Sequence, residues 1–233
     1  MSFQKLVKLF RKMNNDDTVR GISIEFDGVN QFGFGCAQEL IAELKLLKEN
    51  GKFITCYGRN MSNLDWFIST AMDESYLQKS GNIDIIGRSF PQIFLKNMFE
   101  QIGISPYVLK RENYKSFGDM FTEDKINEYT KKNYTSLGND LHNQYLYSMK
   151  HKLKIDNEDA QFIVDNAPYN VKTGIEYQLI NNTCHWNDYI YRLSELCYHD
   201  EMNPVPIDDS ILFMTPKDYQ RCNRDQSIWK TFQ

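Results

Sequence analysis

Apolar residues recur along this chain with two periods in turn, two and 3.6, and that alternation limits the fold more than any other feature. Phe3, Leu6, Val7, Leu9 and Phe10 mark one face of a helix, and Val19 to Phe26 alternates as a strand running into a turn at Asp27-Gly28. Ala37 to Leu47 reads as a helix closed by Asn50-Gly51, and Phe53 to Tyr57 as the next strand, closed by Gly58. The succession repeats with a helix over Leu64 to Met72, strands at Ser75 to Leu77 and Ile83 to Ile86, and a helix over Pro91 to Ile102. Strand, helix, strand at this spacing predicts an α/β fold with a mainly parallel sheet and right-handed crossovers.

Beyond Lys115 the pattern turns helical, over Lys125 to Leu153, Asn157 to Asp165, Lys172 to Ile180 and His185 to Leu196. Asn203-Pro204-Val205-Pro206 is the clearest linker, followed by a strand at Ile211 to Met214 and a short helix from Pro216. The expected organisation is one domain over 1–202, whose helical arm takes in about 123–200, then a linker and the start of a further element over 203–233. A chain of 233 residues buries a core large enough for that.

Charge and cysteine usage exclude several functions. With 27 basic and 31 acidic residues the net charge is -4, and no basic stripe is interleaved with aromatics, so nucleic acid is not an expected partner. Cys36, Cys56, Cys184, Cys197 and Cys222 show no paired spacing, which favours buried thiols over a disulfide framework. His142, His151, His185 and His199 form no zinc pattern, and neither a metal nor a cofactor is expected. Asp27-Gly28, with Gly33 and Gly35, has neither the dinucleotide nor the phosphate-loop spacing and reads as a turn. Asn60-Met61-Ser62, Asn133-Tyr134-Thr135 and Asn181-Asn182-Thr183 are glycosylation triplets of the kind an Asn-rich chain produces by chance. Phe94, Met98 and Phe99 stand at helical spacing and read as core. No stretch approaches the roughly 18 to 20 apolar residues of a membrane helix, and no address is readable.

The chemistry concentrates at Lys115. It ends a β-prone run, Val108-Leu109-Lys110-Arg111-Glu112-Asn113-Tyr114-Lys115-Ser116-Phe117. Partial burial beside aromatic neighbours would lower the pKa of such a lysine and make it a general base near neutral pH, whereas a surface lysine lying over an aromatic pair would do neither. Tyr114-Lys115-Ser116-Phe117, followed by Phe121-Thr122 and an acidic run from Glu123, resembles the lysine segment of the signal peptide peptidase A (protease IV) family. Thr18 to Ile24, Lys48-Glu49-Asn50-Gly51-Lys52, and Tyr57 to Ser62 followed by Trp66 to Glu74 are similar to the family's successive elements in order and spacing.

The resemblance implies a Clp/crotonase-like fold of repeated ββα units with a helical C-terminal extension, and a serine peptidase with Lys115 as general base. It places this chain as the N-terminal half of the long two-domain form, in which the working serine comes from the other half. The chain would then be a fragment, a split subunit or a degenerate paralogue. Ser62 is the possible nucleophile within the chain, yet Asn63 and Leu64 stand where small residues usually follow, and a polar cap ahead of Leu64 is the other reading. The implied partners are an apolar peptide substrate and a further copy or second peptidase half. The surface offered to them includes Tyr129, Tyr134, Leu137, Leu141, Tyr145 and Leu146. The implied setting is a bacterial inner membrane facing the periplasm or a plastid membrane, reached through segments outside this chain. A catalytically silent subunit on the same scaffold is the alternative.

Overall fold

The computed structural model describes residues 2–26, 33–197 and 214–221. In chain order its elements are α1 (Phe3–Asn14), β1 (Gly21–Phe26), α2 (Phe34–Glu49), β2 (Phe53–Gly58), β3 (Met61–Ser62), α3 (Asn63–Ser69), β4 (Glu74–Leu77) and β5 (Asn82–Asp84). Then come α4 (Lys96–Gln101), α5 (Asp119–Thr122), α6 (Glu128–Leu153), α7 (Asn157–Asp165), β6 (Tyr169–Asn170), α8 (Val171–Glu176), β7 (Asn182–Thr183) and α9 (Trp186–Cys197). The chain forms two compact units, residues 1–85 with 168–233, and residues 86–167.

The first unit is built on a parallel sheet in the order β1-β2-β4-β7, with Ile24 beside Cys56 and Cys56 beside Ser75. β2 is buried over Ile54 to Gly58, as expected of a strand covered on both faces, and this explains why its sequence reads as a run rather than an alternation. β1, at the sheet edge, does alternate, burying Ile22 and Phe26. A smaller sheet, β3-β5-β6, has one parallel and one antiparallel pairing. Helix α2 lies against α1, α3 and β2 through Leu40, Leu44 and Leu47.

The Lys48 to Lys52 segment shows how sequence sets this unit's joints. Gly51 holds φ +78°, the left-handed turn that closes α2, and Lys52 N–H bonds back to the Leu47 carbonyl at 3.1 Å. Lys52 is then buried, its ammonium donating to the carbonyls of Asp16 and Val19 at 2.8 Å each, just ahead of β1.

Residues from 168 onward return to the same unit. β7 adds the fourth strand, and Asn181 Oδ1 accepts from Ser75 N–H at 2.8 Å. Trp66 donates its indole N–H to the Leu179 carbonyl at 3.0 Å. From α9, the Tyr189 hydroxyl lies 2.7 Å from both Ser23 Oγ and Thr55 Oγ1, satisfying the polar groups of two adjacent strands, and burial pushes its pKa up. Arg192 makes a bidentate pair with Glu74, which also accepts from Tyr76 OH. In consequence the Glu74 carboxyl is held below its usual value, and the Tyr76 phenol, buried beside it, is pushed up to about 12.

In the second unit α6 and α7 pack together, burying Tyr145, Leu146 and Met149 with Ala160, Ile163 and Val164. Two of the arm residues expected on its open surface, Tyr145 and Leu146, are therefore covered, whereas Tyr129 and Leu137 are exposed. The helix expected from Pro91 begins at Lys96, after Leu95 N–H has bonded to the Met120 carbonyl at 2.7 Å. Of its expected core residues, Phe94 and Phe99 are half-buried and Met98 is exposed. The β-prone run Val108-Leu109 forms no strand, because no neighbouring strand offers it a ladder; Tyr107 and Leu109 are 84% and 85% exposed. The expected linker from Asn203, the strand residues 211–213, Asp27-Gly28, His199 and Cys222 lie outside the described residues.

Candidate active site

Lys115 sits in a turn of the second unit rather than at the end of a strand. Its N–H bonds to the Glu112 carbonyl at 3.1 Å, its side chain is exposed, and Tyr114 before it meets Tyr129 of α6 edge-on at 5.4 Å. Ser116 follows, its carbonyl accepting from Asp119 N–H at 3.0 Å and so opening α5. Gly118 is confined, because a side chain there would run into Val108.

Beneath the turn lies a buried carboxylate that sequence reasoning passed over. Asp119 is 5% exposed; Oδ1 accepts from Lys110 Nζ at 2.8 Å and Oδ2 from the Asn127 side-chain amide. Hydrogen bonding to Asp119 raises the Lys110 pKa. Asn127 in turn caps α6, its Oδ1 accepting from Thr130 N–H at 2.8 Å. This cap places the start of α6 at Glu128 rather than Lys125. The Asn127-x-x-Thr130 spacing was a readable cap signal, but no sequence period marks an aspartate as buried.

A cleft of about 280 Å³ adjoins the turn, lined by Ile93, Phe94, Phe117, Met120, Ile126 and Tyr134, with Ser116, Asp119 and Thr130 as polar groups. The Thr130 hydroxyl is buried and makes no protein hydrogen bond.

Ser62 belongs to the first unit, where it caps α3. Its Oγ accepts from Asp65 N–H at 3.3 Å and donates to Asp65 Oδ2 at 2.7 Å, while its own N–H donates to the same oxygen at 3.0 Å. This is a reciprocal capping box around a buried carboxylate, and it occupies the hydroxyl. Lys115 and Ser62 are thus each fixed within a separate unit.

The remaining polar candidates have structural partners. His142 bonds to Gln161 at 2.8 Å, the His151 ring lies tilted against Tyr147 at 4.3 Å, and the backbone N–H of His185 donates to Asp188 at the start of α9. Asn60 and Asn181, from two of the glycosylation triplets, accept from backbone N–H groups of Asn82 and Ser75. Cys56 is buried; Cys36, Cys184 and Cys197 are half-buried free thiols. Among the described residues no cluster of three metal-binding side chains occurs, and no helix is long and apolar enough to cross a membrane.

Residues 46–198 match the sequence profile of Peptidase family S49, a stretch that includes both Ser62 and the Lys115 turn. The chain belongs to peptidase family S49. The α/β fold with a mainly parallel sheet expected from the periodicity is present, as the four-stranded parallel sheet with its helices. The chain is 24% identical over 195 residues to "Serine protease SPPA, chloroplastic" of Arabidopsis thaliana, covering 84% of this chain and 29% of that protein. It is 21% identical over 150 residues to "Protease 4" of Haemophilus influenzae, covering 64% of this chain and 24% of that protein. The chain therefore spans less than a third of the length of these curated relatives. Among solved structures, an enoyl-CoA hydratase/isomerase family protein from Silicibacter pomeroyi aligns with a TM-score of 0.48 and 11% identity, over 86% of this chain and 73% of that one.

Proposed function

We propose that this chain supplies the lysine base of a Ser-Lys serine peptidase that cleaves apolar peptides such as signal peptides, the nucleophilic serine coming from a second peptidase half or subunit. The observation that carries the reading is the Lys115 turn itself: Tyr114-Lys115-Ser116, inside the family match, held on a buried hydrogen-bonded carboxylate beside an apolar cleft. In this mechanism a neutral Lys115 takes the proton of the serine hydroxyl as its oxygen attacks the peptide carbonyl. Backbone amides stabilise the oxyanion, and the protonated amine returns its proton to the departing amine. A lysine does this only once water is excluded from it, and Lys115 is exposed in its own unit. The surface that desolvates it is assigned to the substrate and the serine-bearing partner. The exposed aromatics of the second unit supply the contact for that partner or for further copies of the chain.

A second reading is favoured by one observation. The Ser62 hydroxyl is held in a capping box, so the chain alone lacks an open serine at that turn, and a silent assembly subunit would look the same. Mixing the chain with a half that carries a serine followed by two glycines, and following cleavage of a fluorogenic apolar peptide, separates the two. Cleavage that requires both components and disappears in Lys115→Ala supports the peptidase. Binding without cleavage supports the silent subunit, and turnover by the chain alone that is lost in Ser62→Ala makes Ser62 the nucleophile.

A further inference from the structure

The amine of Lys115 is exposed, and what fastens its turn lies further along the chain. Asp119 is buried, and its two oxygens grip groups on either side of it in sequence: Lys110, nine residues away, at 2.8 Å, and the Asn127 side chain, eight residues away. One carboxylate thereby joins the entry of the turn to the first turn of α6. Backbone bonds complete the knot, from Asp119 N–H to the Ser116 carbonyl at 3.0 Å and from Glu123 N–H to the Asp119 carbonyl at 2.8 Å.

Stability alone does not call for an aspartate here. Burying a carboxylate is costly, and a well-packed apolar residue in place of a buried ion pair is often neutral or stabilising. What a charge-assisted pair adds is direction, because its hydrogen bonds hold only in one arrangement of the groups they join. A base that must meet a serine from elsewhere needs its backbone placed to within about half an ångström, and a misplacement of about 1 Å costs on the order of 100-fold in rate.

We infer that Asp119 is a positioning residue for Lys115: held by Lys110 and Asn127, its carboxylate sets where the turn over 111–118 presents the lysine amine. The inference rests on the reading of Lys115 as the base. It predicts that Asp119 acts through Lys115 and not independently of it.

The test is a double-mutant cycle in the peptidase assembled from this chain and the serine-bearing half. Asp119→Asn keeps the volume but removes the charge, and kcat is expected to fall about tenfold or more with KM changed by no more than about twofold. Added to Lys115→Ala, the same substitution is expected to have no further effect. Hydrogen exchange of the 233-residue chain should show faster exchange over 111–118 in Asp119→Asn, with the strands of the first unit unchanged. Lys110→Gln opens the same clamp from its half-exposed end and carries the cycle if Asp119→Asn does not fold. An unchanged kcat, an additive cycle, or unaltered exchange over 111–118 overturns the inference. Full activity in Lys115→Ala instead overturns the base assignment itself, so the two failures are distinguishable.

Discussion

The two units of this chain bury their apolar residues to different degrees. In the first, Trp66, Leu44, Leu47, Ile54, Met61 and Ile83 are fully buried, and even the polar Thr55 and Ser75 are enclosed and hydrogen-bonded. In the second, Ile93, Tyr107, Leu109 and Phe117 are mostly exposed, and residues 102–118 form neither helix nor strand. The first unit is closed by its own sheet, whereas the second presents apolar surface around the candidate base. Scattered exposed apolar side chains are ordinary, and the proposed partner contact draws on those of the second unit that lie near Lys115 in sequence.

The largest effect expected to break this contrast is in the first unit. Trp66→Ala removes a buried indole and its bond to Leu179, and should lower unfolding stability by about 3–5 kcal/mol, read from denaturant midpoints. A loss under 1 kcal/mol would show that the unit is looser than its burial implies. Next, Lys115→Ala should lower kcat of the assembled peptidase by about 100-fold or more, roughly 2.7 kcal/mol in barrier, while leaving the denaturant midpoint where it was. A shifted midpoint with retained activity would make the turn structural. Tyr189→Phe leaves Ser23 and Thr55 without their shared partner and should cost about 1–3 kcal/mol, with no effect on catalysis.

A smaller effect is a pH dependence confined to the first unit. Arg192 depresses the Glu74 pKa, so the stabilisation from this pair is present above the unfolded carboxylate value near 4.3 and is lost as pH falls through the lower folded value. Denaturant midpoints of the parent chain and Glu74→Gln should therefore differ above about pH 5 and converge in acid. A difference that persists at pH 2 would rule out this ion pair as its source. The smallest effect should be Phe117→Ser, within about 0.5 kcal/mol of the parent in stability. It should nevertheless weaken association with the serine-bearing half in sedimentation, and unchanged association would sink the role given to this surface.

The sequence made the first unit legible because its cues are local and periodic. The buried run of β2, the alternation of β1 and the Asn50-Gly51 stop each name their own structure. In the second unit α7 has the expected bounds, Asn157 to Asp165, and the structure shows Asp156 capping it and Ala160, Ile163 and Val164 as its buried face. The two-residue strands β6 and β7 carry no period and stayed hidden between helices. Val108-Leu109 misled in the other direction, since its β propensity finds no strand to pair with. At the candidate site, the sequence singles out Lys115 through the company of Tyr114 and Ser116, and the polar cap expected at Ser62 ahead of Leu64 is present as a capping box. Asp119 escaped because its importance comes from Lys110 and Asn127 converging on it, which only the folded chain displays.

The Tyr189 hydroxyl has a consequence for the order in which the molecule assembles. It bridges to Ser23 and Thr55 across 166 and 134 residues of sequence, and Trp66 reaches Leu179 across 113. The early strands must therefore wait, with one edge of the sheet unpaired, until the segment carrying Leu179 and Tyr189 has been made. Closing so long a loop is entropically slow, and a waiting sheet edge exposes apolar surface to other chains. The second unit, contiguous and mostly helical, is under no such delay. Local contacts of that kind close short loops, so yield on refolding should depend more on protein concentration than on anything at the Lys115 turn.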